Sequence, residues 1–177
     1  SLASIQKFIL ENDSYVANEY LTDFSSLMRL ILESSKSSLV PINDEIKAYE
    51  LYLRLENLRF NNAIESHINI NKNILSDQTK IPPLLIQPII ENAIWHGIMH
   101  NGGKGKIDIN FSKHSDNLLL CEIIDNGIGV KKSKSISNKN KSHKSTGLQN
   151  IYERISLLSE IFDVEMKMEI IDLHDDT

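Results

Sequence analysis

The stretch Ile81–Gly97 reads IPPLLIQPIIENAIWHG. Two prolines near its start and a glycine at its end are start and stop signals for a helix that follows Pro82 and runs to His96. Leu85, Ile89 and Ala93 line one side of that helix. Asn92 and His96 are four residues apart, as are Glu91 and Trp95, so polar groups gather on another side. A carboxylate, an amide oxygen and an imidazole are thus presented together. The set lacks a second His or Cys at the spacing zinc requires, and an amide oxygen beside a carboxylate suits a hard ion such as Mg²⁺. An amphipathic surface helix would read the same way.

Downstream of this helix lies all the glycine in the chain: the seven glycines fall between residues 97 and 147. Glycine allows close approach of backbone to a ligand, and beside a helix start it offers N–H groups to phosphate. The turn cluster Asn101-Gly102-Gly103-Lys104-Gly105 precedes two β-like runs, Lys106–Phe111 and Leu118–Ile124, with residues 114–117 as the loop of a hairpin. The second run ends in Asp125-Asn126-Gly127-Ile128-Gly129, an acid at the end of an apolar strand before two glycines. Such a carboxylate needs hydrogen bonds. An N–H donor on a ligand, such as an adenine amino group, would supply them, and so would a turn made by its own glycines. Thr146-Gly147-Leu148-Gln149-Asn150 then opens a helix whose apolar residues Leu148, Ile151, Ile155 and Leu158 keep helical spacing, and its N-terminal N–H groups suit an anion. Val164–Ile171 reads as a closing strand.

Upstream, Ile64–Ile70 alternates apolar and polar residues and reads as a strand. Ile42–Phe60 is apolar on much of its circumference, which predicts a helix buried on more than one side, with Pro41 at its start. Residues 34–38 are a polar break. Before them, Leu2, Ile5 and Ile9, then Val16, Tyr20, Phe24, Leu27 and Ile31, follow helical spacing on either side of Asn12-Asp13-Ser14, which predicts a helical hairpin. Two helices cannot cover that stripe alone, so it needs the rest of the chain or a second copy of itself, and a helix-bundle dimer is the favoured cover. The element order is a sheet with helices packed on it. The expected fold is a two-layer α/β sandwich, helices on one face of a mixed sheet, preceded by the helical hairpin.

Composition bounds the function. The 177 residues suffice for one ordinary domain with a helical appendage, and 41% hydrophobic with 24% charged residues is a globular balance. No apolar run reaches the roughly 20 residues of a membrane span, and no signal-peptide pattern is visible. The single cysteine, Cys121, lies in an apolar run and reads as a buried small hydrophobe, so the chain has no internal disulfide. Residues 131–146, KKSKSISNKNKSHKST, carry six of the 19 basic residues and no acid, leaving 13 basic against 24 acidic residues elsewhere. A basic loop on an acidic body reads as a solvated linker or as a flap over an anion, and the acidic remainder argues against nucleic acid as a partner. Neither a GxxxxGK[ST] phosphate loop nor a GxGxxG loop occurs.

Each motif is weak by itself, and their order carries the weight: Glu-Asn-Ala-x-x-His-Gly, Asp-x-Gly-x-Gly, a basic loop, then Gly-Leu-x-Asn. This order resembles the ATP-binding domain of sensor histidine kinases, in the superfamily shared with DNA gyrase, a heat-shock chaperone and the mismatch-repair protein MutL. The match is closer to the LytS-type kinases, on residues 21–29 (LTDFSSLMR), 52–60 (YLRLENLRF), 81–97 and 147–155 (GLQNIYERI). The resemblance implies ATP and Mg²⁺ as cofactors. It implies Asn92 as the Mg²⁺ ligand, Asp125 as the carboxylate reading the adenine amino group, and Gly127 and Gly129 as the glycine box beneath the nucleotide. Thr146, Gly147 and Leu148 would face the phosphates, and residues 130–146 would form a lid with Lys144 as a phosphate contact. Glu91 matches a position that activates water in the ATPases of the superfamily, and His96 also matches the family.

Residues 1–38 are then expected to be the C-terminal part of a dimerisation and phosphotransfer helical region, and residues 39–177 the catalytic ATP-binding domain. The expected function is transfer of the ATP γ-phosphoryl group to a histidine for relay to a response regulator, as a homodimer through the N-terminal helices. The alternatives are a nucleotide-binding scaffold and a hydrolysing ATPase. The family's acceptor segment, Pro-His-Phe-(Leu/Phe/Ile)-Phe-Asn, precedes the first helix, and this sequence opens at Ser1-Leu2-Ala3; its last Gly-Thr-containing strand is also missing. The expectation is a cytoplasmic fragment of a membrane-anchored bacterial protein that does not autophosphorylate by itself.

Overall fold

The computed structural model describes residues 9–10, 14–74, 78–101, 103–115, 118–129, 132 and 146–173, the first three residues of the last segment by backbone only. They are α1 (Ser14–Ser34), β1 (Val40–Pro41), α2 (Ile42–Arg59), β2 (Ile64–Ile70), β3 (Lys80–Ile81), α3 (Gln87–Asn92) continued by a π-helical turn (Ala93–Ile98) and a 3₁₀ turn (Met99–Asn101), β4 (Gly105–Ser115), β5 (Leu118–Asp125) and α4 (Thr146–Phe162). This is an α/β arrangement of helices and a mixed sheet. It divides into two units, Ser1–Leu84 with Asp108–Glu122, and Leu85–Ile107 with Ile123–Thr177.

In the first unit α1 packs on α2. Ala17, Tyr20 and Leu27 of α1 form a buried cluster with Ala48 and Leu55 of α2, bordered by Phe24, Ile31, Leu51, Tyr52 and Leu58. Part of the apolar stripe of α1 is therefore covered within the chain, because α2 repeats its own apolar residues at the matching period. Buried Asp23 of α1 accepts a hydrogen bond from Arg54 of α2 at the same seam. The hydroxyls of Thr22, Ser25 and Ser26 donate to carbonyls four residues back, which is how a polar TDFSS run stays helical. Of the first half of the predicted hairpin, residues 1–8 and 11–13 lie outside the described residues.

Pro41 stands at the N-cap position of α2 without a side-chain cap, and Asp44 and Glu45 occupy its first turn and Arg59 its last, matching the helix dipole. Asn61 and Asn62 take left-handed φ of 54° and 58°, and Asn57 Oδ1 accepts from Ile64 N–H at 2.9 Å, so the helix ends and β2 begins within five residues. β1 and β3 form a two-residue antiparallel ladder, Val40 with Ile81 and Pro41 with Lys80, too short for periodicity to reveal.

The main sheet has the order β2-β4-β5. His67 meets Asp108 at 3.1 Å and Asn69 meets Asn110 at 2.9 Å, so β2 and β4 run parallel. β4 and β5 form the expected antiparallel hairpin. Ile107, Ile109 and Phe111 are fully buried on one face of β4, while Glu65, His67 and Asn69 of β2 are exposed on the other. Val164–Ile171 carries no strand, contrary to expectation. After α4 the chain turns back on the helix end, with Asp163 at φ 50°, Val164 N–H donating to Ser159 O at 3.1 Å, and the Ser159 hydroxyl donating to Val164 O. A period-two pattern makes a strand only where a ladder partner takes its backbone groups.

Candidate functional site

The second unit contains the described part of the site. Its helix does not start at Pro82 as expected. The residue before a proline avoids helical backbone, and Leu84 adopts φ 53°, so α3 begins only at Gln87, with Pro88 in its first turn. Ile90, Ala93, Ile94 and Ile98 are buried and hold the helix in its unit. Asn92 is the last α-helical residue. From Ala93 to Ile98 the backbone widens into a π-helical turn, a feature frequent at functional sites and one that residue spacing did not reveal.

The turn ends against Gly127. A Cβ on Gly127 would stand 2.3 Å from the Gly97 backbone, and a Cβ on Gly97 would stand 2.5 Å from Asp125 Oδ1. Only two glycines allow this contact. Contrary to expectation Gly97 does not stop the helix, since the π-helical turn runs through it to Ile98; its pairing with a glycine thirty residues on is a tertiary fact. Ile128 N–H donates to Gly97 O at 3.3 Å, which ties the loop to the turn.

Asp125, half-buried at the end of β5, accepts a hydrogen bond from Gly127 N–H through Oδ1 at 2.9 Å. The carboxylate thus caps the turn of its own glycines, the structural alternative for this residue. A carboxylate has two oxygens and about four acceptor positions, so one cap leaves it chemically able to read an N–H donor as well. Gly129 has φ 76°, a backbone conformation that suits glycine. Asn126, not singled out from sequence, ties the loop to β4: its Oδ1 accepts from Lys106 N–H at 2.6 Å, and its N–H donates to Lys106 O at 3.2 Å.

Of the remaining predicted site residues, Glu91 is half-buried and its Oε1 accepts from Gln87 Nε2 at 2.9 Å, one turn earlier on the same helix. His96 is exposed, its ring stacked on His100 with centroids 6.3 Å apart. α4 starts at Thr146-Gly147-Leu148 and touches α3. The side chains of those three residues, Lys144 and most of the basic loop lie outside the described residues. Burial, and then the charge of Glu122, push the Cys121 thiol up to about 12.

Among the described residues no three His, Cys, Asp or Glu side chains gather into a metal site. The donors fit a cation that arrives already coordinated by phosphate oxygens, for which a neutral amide such as Asn92 is an adequate additional ligand. No helix among the described residues is long and apolar enough to cross a membrane.

Comparison with known proteins gives consistent relatives. The family of histidine kinases matches over residues 1–64. The chain is 34% identical over 161 residues to the sensor protein LytS of Oceanobacillus iheyensis, covering 86% of this chain and 27% of that protein. It is 31% identical over 141 residues to the putative uncharacterized protein YwpD of Bacillus subtilis, covering 78% of this chain and 50% of that one. It is 28% identical over 151 residues to the sensor histidine kinase/phosphatase LytS of Staphylococcus aureus, covering 81% and 25%. The chain spans half or less of the length of these relatives.

Proposed function

We propose, for a chain that belongs to the LytS-type histidine kinases, that residues 39–177 bind Mg-ATP and present its γ-phosphoryl group for transfer to a histidine, the phosphoryl group passing on to a response regulator. Residues 1–38 are then part of the helical region that dimerises and carries the transfer, with Leu21, Met28 and Leu32 of α1 exposed for a second copy. On this reading the domain works in the cytoplasm.

The observation that supports this reading is the backbone contact of Gly127 with Gly97, which lies five residues after Asn92, with the Asp125 carboxylate beside it. Asp125 would accept from the adenine amino group while its other acceptor positions keep the loop closed. Gly127 and Gly129 leave the floor free of side chains. The Asn92 amide oxygen would complete the coordination of Mg²⁺, which when bound neutralises phosphate charge. Thr146, Gly147 and Leu148 would donate backbone N–H groups to phosphate oxygens from the helix start, and Lys144 would add a cation from the lid. Phosphoryl transfer needs positioning and charge stabilisation rather than covalent help, and these groups supply both. His96 would fix the end of the helix rather than touch the reacting phosphate.

The test is competition of ATP and ADP against a fluorescent nucleotide with Mg²⁺, on the parent and on Asp125→Ala, with circular dichroism to check folding. Removing a charged hydrogen bond should cost about 1.5–3 kcal/mol, a loss of affinity of about tenfold to a hundredfold. A folded parent that ignores ATP overturns the reading. Steady phosphate release that disappears in Glu91→Ala would assign hydrolysis instead, and nucleotide binding without transfer to a supplied acceptor would assign a scaffold.

A further inference from the structure

Three contacts tie the segment before α3 to the start of α2. Ile42 N–H donates to Thr79 O at 2.9 Å, the β1–β3 ladder joins residues 40–41 to 80–81, and Leu84 N–H donates to Glu45 Oε2 at 2.8 Å. The third is the unusual one. Glu45 is fully buried in the first turn of α2, and the same oxygen accepts the hydroxyl proton of Tyr49, also fully buried one helical turn on. A carboxylate placed out of water needs such donors, and here one of them is a main-chain N–H in a turn.

Leu84 stands at φ 53°, in the left-handed region that a branched L-residue avoids because its Cβ crowds the following carbonyl. Strain of this kind persists only where the surroundings over-determine it. Pro82 and Pro83 limit the backbone before it, and the Glu45 carboxylate holds its N–H. Leu84 is also the residue at which the chain leaves the first unit, entering the second at Leu85 and starting α3 three residues after the turn.

We infer that Glu45 is a positioning residue for the Asn92 helix: by holding the left-handed backbone of Leu84, it fixes the turn from which that helix starts. This rests on the reading of Asn92 as a nucleotide-site residue only for its effect on ATP; the local effect on the helix stands apart from it. Glu45 touches no substrate and acts through Leu84.

The experiment is Glu45→Ala in the 177-residue chain, alone and combined with Leu84→Gly, with Leu84→Gly as a control. Glycine holds a positive φ without assistance, so it restores the turn only if the carboxylate's task is to hold Leu84 there. Amide exchange over residues 84–92 should rise about tenfold or more in Glu45→Ala relative to the amides of α2, and return to near the parent rate in the double variant. The emission of Trp95, the chain's single tryptophan and three residues from Asn92, should shift and return in parallel. ATP affinity should fall about tenfold and recover. A purely structural loss of a buried charge would lower thermal stability without selective exchange at 84–92, and glycine would not repair it; either result overturns the inference. If Glu45→Ala does not fold, Glu45→Gln, which keeps the shape and a neutral acceptor, should show the same local effect and the same rescue at smaller amplitude, and unaltered exchange in it is equally adverse. If the parent binds no ATP, exchange and Trp95 emission still decide the matter.

Discussion

Side chains in the second unit are placed by what glycine leaves out. The ideal Cβ of Gly97 stands 2.5 Å from Asp125 Oδ1, so Gly97→Ala must displace the carboxylate rather than merely crowd it. Affinity for ATP should fall about tenfold or more in that variant while the far-UV circular dichroism spectrum is kept, because the clash is with a side chain that can move. Cys121 offers a check of another kind. With its thiol raised to about 12, it is almost wholly protonated at pH 8, and the thiolate is the reactive species. Its reaction with a disulfide reagent should run about tenfold or more slower than that of an exposed cysteine, and should approach the exposed rate once the chain is unfolded in guanidinium. A folded chain that reacts at the exposed rate would contradict the raised thiol of half-buried Cys121.

Among the elements, the α1–α2 pair carries an asymmetric ion pair. Asp23 is 6% exposed, whereas the Arg54 side chain is 54% exposed. Removing the arginine strands a buried carboxylate, and removing the carboxylate lets the arginine return to water. Arg54→Met should therefore destabilise by about 3 kcal/mol and Asp23→Asn by about 1 kcal/mol, read from urea unfolding midpoints. Equal effects would mean that Asp23 reaches water when alone. The helices themselves were legible in sequence wherever the apolar period was long: α2 and β2 match their predicted spans closely, and α1 and the β4–β5 hairpin follow the pattern. The exceptions have physical causes. The two-residue β1 and β3 have no period, the late start of α3 depends on Leu84 taking a left-handed backbone, and the π-helical turn depends on the contact of Gly97 with Gly127. Val164–Ile171 alternates like a strand, yet its first residues are drawn back to Ser159.

Taken whole, the molecule has the described residues of its candidate site in the second unit, residues 85–107 with 123–177, and its α1–α2 packing in the first. On the proposed function, saturating Mg-ATP at about a hundred times Kd should add about 2.7 kcal/mol to the stability of what it binds. Amide-exchange protection should therefore grow in 92–98, 125–129 and the start of α4, and α1 should change least. Protection that grew mainly in α1 would point to a site elsewhere. The sequence by itself determined the α/β class and the order of most elements, because hydrophobic period, turn chemistry and helix signals are local and survive without neighbours. Asp125, Gly127 and Asn92 were legible in the same way as candidates for the site, by residue type and position. Only the tertiary structure decided that part of the stripe of α1 is covered by α2, that Gly97 meets Gly127, and that a buried Glu45 holds Leu84. Each of these joins residues far apart in the chain, and their energies exist only once packing has excluded water from both partners.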